Sequence, residues 1–134
     1  MELTEQLRQQ TILAVIRASA RVEREAQGPD RRRVFRNTRY LLAAAVALGV
    51  SRSLIAAELG VRAETVRTRA GLHGPISTTD FAELTGLPLA RIHSWTLPSS
   101  PEDPASHTAT HLLKALLHDT ATHQPEATEP APGR

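Results

Sequence analysis

The side chains with the most distinctive chemistry in this sequence are its arginines, and they are unevenly spread. All of its 16 lysines and arginines except Lys114 are arginine. Residues 28 to 75 hold nine of them against three acids, whereas residues 76 to 134 hold three bases against seven acids. A formal net charge of +2 therefore hides a middle part of +6 and a final part of −4. A guanidinium carries a planar fork of N–H donors that fits two oxygens of a phosphate, or the two acceptors on the major-groove edge of guanine. A concentrated block of such groups is the electrostatic footprint of nucleic-acid binding. An alanine-rich composition with arginine in place of lysine is also what a GC-rich genome produces. Position, rather than number, has to identify the arginines that matter.

The stretch that positions them is SRSLIAAELGVRAETVRTR, Ser51 to Arg69. Ser51 is a good N-cap, and Leu54, Ile55 and Leu59 form an apolar face, which predicts a helix from about Arg52 to Leu59. Gly60 can take the left-handed conformation that ends it, and Val61 pins the turn. A second helix then starts at Arg62 or Ala63 and carries Val66 inward. Ala56 is small enough for the two helices to cross closely.

The pattern recurs in STTDFAELTGLPLARIHSW, Ser77 to Trp95. Phe81, Ala82, Gly86, Leu87 and Ile92 stand as Ile55, Ala56, Gly60, Val61 and Val66 do, at a constant offset of 26 residues. Ser77 or Thr78 can cap the first helix of this pair, with Asp80 near its positive end, and Pro88 suits the first turn of the second. The copies differ where Trp95 takes the place of Arg69 and Thr85 that of Leu59. A second match at fixed offset makes coincidence a poor explanation.

Small, turn and apolar residues at these spacings resemble the helix-turn-helix family of DNA-binding proteins. The resemblance implies that the second helix of each pair lies in the major groove, its N-terminal and outward residues at the base edges. In the first copy these are Arg62, Ala63, Glu64, Arg67 and Thr68. Arg67 is placed for a bidentate contact to guanine, worth about 1–3 kcal/mol of discrimination, and Glu64 for accepting from a cytosine amino group. In the second copy they are Leu89, Ala90, Arg91, His93 and Ser94, with Leu89 toward a thymine methyl and His93 toward a base or phosphate. Phosphate contacts are expected from Ser51 and Arg52, from Arg69, and from Ser77 and Thr78. They are also expected from RRRVFRNTR, whose Arg31, Arg32, Arg33, Arg36 and Arg39 open the supporting helix. The second copy is not basic, since Arg91 stands alone against Asp80 and Glu83. It either reads DNA while the first copy supplies the attraction, or packs against protein.

Two unlike units on one small arginine- and alanine-rich chain resemble the immunity repressors of temperate actinobacteriophages, of the mycobacteriophage type, over about Arg31 to Trp95. This resemblance implies a transcriptional repressor that occupies asymmetric operators in double-stranded DNA, silences lytic promoters and needs no cofactor. It would act in the cytoplasm of a bacterial host, as a monomer or as a dimer through a terminal helix. The alternatives are a DNA-binding accessory factor of a phage recombination or packaging apparatus, and a helix-turn-helix protein-interaction module.

The flanking sequence predicts an all-α fold. Leu3 to Ala26 carries a broad apolar stripe suited to packing or to a coiled-coil dimer. Gly28 and Pro29 break it, and Asp30 can cap the next helix. Val34, Phe35, Leu41, Leu42, Ala45 and Leu48 give the helix from Arg31 to Leu48 its apolar face, unless Asn37 and Thr38 mark a later start that leaves the arginines on a mobile arm. LPSSPEDPAS, Leu97 to Ser106, holds three prolines and reads as a linker. Ala105 to Asp119 forms an amphipathic helix with Leu112, Leu113, Leu116 and Leu117 on one side, and Thr120 to Arg134 a disordered tail. The expected organisation is an N-terminal helix over 1–27, a basic helix-turn-helix domain over 28–74, and a second helix-turn-helix over 75–97. A linker and C-terminal helix over 98–119 and a tail over 120–134 complete it.

Other chemistries find little support. There is no cysteine, hence no disulfide or thiolate metal site. His107, His111 and His118, placed on one helix at spacings of four and seven, and the nearby His123 lack the acid or cysteine that would complete a metal shell, so surface histidines are expected. No nucleophile and base pair and no glycine-rich phosphate loop stands out, which argues against an enzyme. Apolar runs such as Ile12 to Ile16 are far too short to span a bilayer, so no membrane partner is expected.

Overall fold

A computed structural model describes residues 4–95 and 106–122. The described residues form seven helices and one pair of very short strands, so the fold is all-α with a minimal β clasp. No helix among them is long and apolar enough to cross a membrane.

The first helix, α1, runs over Glu5–Glu25, with the Thr4 hydroxyl accepting from the Leu7 amide at its start. The second, α2, runs over Pro29–Ala47. Gly28, rather than Asp30, is its N-cap, because Pro29 occupies the first helical position and Asp30 falls inside the first turn. Asn37 and Thr38 do not delay its start. Both are buried within the continuous helix, where the Thr38 hydroxyl donates back to the Val34 carbonyl at 2.9 Å. The arginines of RRRVFRNTR are therefore on a helix and not on an arm.

Four further helices follow the sequence pattern closely. They are α3 (Arg52–Leu59), α4 (Ala63–Arg69) and, in the second copy, α5 (Thr78–Thr85) with α6 (Leu89–His93). The last helix, α7, spans Ala109–Thr122, later than expected. Its predicted first turn is instead a strand, β2 (Ser106–Thr108), which pairs antiparallel with β1 (Pro75–Ser77), Ile76 opposite His107. His107 thus stands on a strand, apart from the helix of His111 and His118, both of which are exposed. Thr120 to Thr122 belong to α7, while the rest of the expected tail, with His123, and the expected linker up to Ala105 lie outside the described residues.

One buried cluster draws on every segment. Ile12 and Ile16 from α1, Leu41 and Ala44 from α2, Ile55, Val66, Phe81 and Ile92 from the two helix pairs, and Leu112 and Leu113 from α7 are all fully buried. Each large aliphatic side chain so buried contributes about 1.5–3 kcal/mol. At the centre, α2 packs against α1, α4, α5, α7 and β1. Ala43, Ala44 and Ala45 give it a surface that neighbours can approach on several sides. The face of α7 that the leucines define folds back onto this core. Arg8 donates to the Leu48 carbonyl at 2.8 Å and closes the end of α2, and Arg17 meets Glu58 at 2.7 Å, tying α1 to α3.

The β clasp depends on close approach at Gly74. Its carbonyl accepts from the Ala109 amide at 3.1 Å, and a Cβ at this position would enter the ring of Tyr40. Gly74→Ala should therefore force α2 and the clasp apart, at about 1–3 kcal/mol for an overpacked site. We expect a melting temperature lower by several degrees, partly restored by combining it with Tyr40→Leu. An unchanged melting temperature would contradict this packing.

Candidate nucleic-acid interface

The two helix pairs repeat each other in geometry as well as in sequence. Ser51 and Ser77 are both N-caps with extended backbone, their hydroxyls accepting from the amides of Leu54 and Asp80 at 3.1 Å. Each first helix has eight residues and ends on a left-handed glycine, Gly60 at φ 71° and Gly86 at φ 79°. Each turn has two further residues, Val61 and Arg62 or Leu87 and Pro88, before the second helix begins. Pro88 is therefore an N-cap position rather than part of the first turn of α6. Thr85, unlike Leu59, secures its turn with its hydroxyl, which donates to the Phe81 carbonyl at 2.7 Å and accepts from the Leu87 amide at 3.2 Å.

In the first pair, Val66 is fully buried and anchors α4, while Arg62, Ala63, Glu64, Arg67 and Thr68 all face solvent. Arg67 and Glu64 approach each other at 3.8 Å with both side chains mostly exposed. Such a pair contributes little and dissolves easily when another partner is offered. Ser51 and Arg52 are exposed at the start of α3, and so is Leu54, which the apolar pattern had placed on the inner face. On α2, Arg31, Arg32 and Arg36 are exposed. These three, with Arg52 and Arg62, make no ion pair with an acid among the described residues. Arg39 and Arg69 are half-buried against Phe35. Phe35 accordingly lies outside the core that its place in the helical pattern suggested.

The second pair spends its charges on partners within the protein. Arg33 is not free for phosphate, because it meets Asp80 at 2.5 Å, Glu83 at 3.0 Å and Asp30 at 3.4 Å. The hydrogen bond that it donates to Glu83, first, and the charges of Asp80 and Glu83 hold its proton still more firmly than usual. Asn37 adds a hydrogen bond to Asp80 at 3.0 Å. Arg91 points to α7 and not outward to a base, its Nε donating to the nearly buried Asp119 at 2.7 Å. Thr78 is buried, with its hydroxyl 3.3 Å from His93 Nε2, because Ser77 already supplies the cap. What α6 leaves on the surface is Leu89, Ala90, His93 and Ser94, a patch without a permanent charge. Trp95 turns inward, its ring edge-on to Phe81 at 6.1 Å between centroids. Its buried indole N–H finds no acceptor among the described residues.

No family model, curated protein or solved structure matches the chain.

Sequence reasoning missed two participants. Asp119, the partner of Arg91, is separated from it by 28 residues, and nothing local signals the pairing. Phe35 had a local signal, since Arg39 follows it by four residues on the same helix face. On α1, Glu23 has its pKa raised by burial, against the lowering influence of Arg69 and Arg31. A raised folded pKa favours the fold below the unfolded value, and that contribution is lost as pH rises through the folded one. Glu23→Gln should match the wild type in melting temperature below the carboxylate range and exceed it at neutral pH. A variant less stable than wild type at neutral pH would mean that the attraction of Arg69 and Arg31 outweighs burial.

Proposed function

We propose that this chain is a sequence-specific double-stranded DNA-binding protein that acts as a transcriptional repressor, with α4 as its reading helix. The observation that carries the reading is the division of the arginines. Arg31, Arg32 and Arg36 of α2, Arg52 of α3 and Arg62 in the turn before α4 are exposed and make no ion pair among the described residues, whereas Arg33 and Arg91, next to α5 and α6, are paired with acids. Surface cations that meet phosphates displace the counterions condensed on the duplex, and that release supplies much of the affinity. Around them, α4 offers a short row of exposed side chains on a helix fixed by Val66, the arrangement that base reading needs.

In this mechanism Arg52, Arg31, Arg32 and Arg36 hold the backbone, and α4 lies in the major groove. Arg67 leaves Glu64 to take the two acceptors of a guanine, while Ala63 and Thr68 contact neighbouring base edges. Arg62 stands at the start of the helix, beside the groove wall. Two unlike helix pairs on one chain suit an asymmetric site, and occupation of such a site excludes polymerase without any cofactor. The role of phage immunity repressor rests on the resemblance of composition and tandem organisation. The neutral patch on α6 favours a second role for that pair, as a surface that touches DNA apolarly or meets another protein.

The test is binding of purified protein to duplex over a range of salt, on sites selected from random sequence. Arg67→Ala should relax preference at one base pair, at about 1–3 kcal/mol. Arg52→Ala should weaken every site and lower the salt slope by about one. Binding that is insensitive to salt, or a selected site that Arg67→Ala leaves unchanged, would refute the assignment.

A further inference from the structure

Phe35 is a large aromatic side chain on the central helix, yet it belongs neither to the buried cluster nor to the apolar residues packed against it. Its ring is covered by cations instead. The guanidinium carbon of Arg39 lies 5.4 Å from the ring centroid and that of Arg69 lies 5.7 Å from it. Arg39 follows Phe35 by one helical turn, and Arg69 is the last residue of α4, so the ring joins the supporting helix to the end of the proposed reading helix. The Arg39 Nε also donates to the Arg69 carbonyl at 3.4 Å, which ties one side chain to the backbone of the other. Neither arginine makes an ion pair with an acid among the described residues.

Two like charges gathered on one ring repel each other. The attraction of each cation for the ring's π face offsets part of that repulsion, and an anion would offset the rest. Glu23 answers part of the charge of Arg69 from beyond ion-pair distance, and no acid among the described residues pairs directly with either guanidinium, which leaves room for a further anion. The arrangement is also pre-ordered, since two long side chains have already given up their rotamer freedom, a loss that binding then need not add. The second helix pair has no counterpart, because Trp95 in the place of Arg69 turns into the core.

We propose that Arg39 and Arg69, stacked on Phe35, form a preformed clamp for the phosphate backbone of duplex DNA beside the groove that α4 enters, with Phe35 as its positioning residue. This rests on the reading of α4 as the DNA-facing helix.

The test is a binding cycle on one selected duplex at several salt concentrations, with thermal melts to confirm folding. Arg39→Ala with Arg69→Ala should weaken binding about 10- to 100-fold and lower the salt slope by about two. Phe35→Leu keeps both charges and should weaken binding about 3- to 10-fold, Phe35→Tyr should restore it, and Phe35→Leu should add nothing when both arginines are already alanine. A Phe35→Leu effect of equal size with and without the arginines would overturn the positioning role. If the wild type binds duplex and the doubly substituted protein keeps its affinity and salt slope, the clamp alone is refuted. If the wild type shows no salt-sensitive duplex binding, the clamp and the DNA-binding reading both fall.

Discussion

The burial of α2 on nearly every side is the constraint from which the rest of the structure follows. Only a helix carrying small residues where its neighbours press, at Ala43, Ala44 and Ala45, can accept α1, α4, α5, α7 and the β clasp around one axis. Both helix pairs are thereby fixed to a common support. The amino-terminal half of the same helix emerges from the core with arginines on its open faces. One side of that half, with Arg33 and Asn37, locks onto α5. Another, with Phe35 and Arg39, reaches the end of α4. Support and charge are thus placed by a single element.

Around this support the two pairs keep the same backbone plan and diverge in chemistry. Serine caps and left-handed glycines preserve the turn in both. At equivalent positions, Arg52 and Arg67 of the first pair are exposed, whereas Thr78 and His93 of the second satisfy each other. Glu58 in the first pair meets Arg17, and its counterpart Leu84 is fully buried. The first pair therefore leaves its arginines on the surface, and the second uses its polar groups to hold itself to the rest of the fold.

Much of this was legible in the sequence, because caps and turns are local. Ser51, Gly60, Ser77 and Gly86 mark helix ends that agree with the structure to within a residue. The strands escaped notice, since three-residue segments such as Pro75–Ser77 carry no alternation and are defined only by a partner some thirty positions away. Thr78 looked as good a cap as Ser77, and only the backbone decides which hydroxyl faces the free amides. Arg33 and Arg91 are indistinguishable in sequence from the exposed arginines. Their acids, Asp80, Glu83 and Asp119, are brought to them by tertiary packing. Phe35 stands one heptad before the fully buried Leu42, so periodicity places its ring inward, and only tertiary packing puts it under two guanidinium groups instead.

Because the chain has no cysteine, a single thiol can be introduced to report which helix lies against DNA. A single cysteine introduced as Thr68→Cys on α4, or as Ser94→Cys beside α6, can carry an iron chelate that cleaves DNA strands within its reach. With α4 in the groove, cleavage should be strong and localised inside the bound site from the α4 position and weaker, or absent, from the α6 position. Cleavage confined to the α6 position, or an even background from both, would contradict that placement.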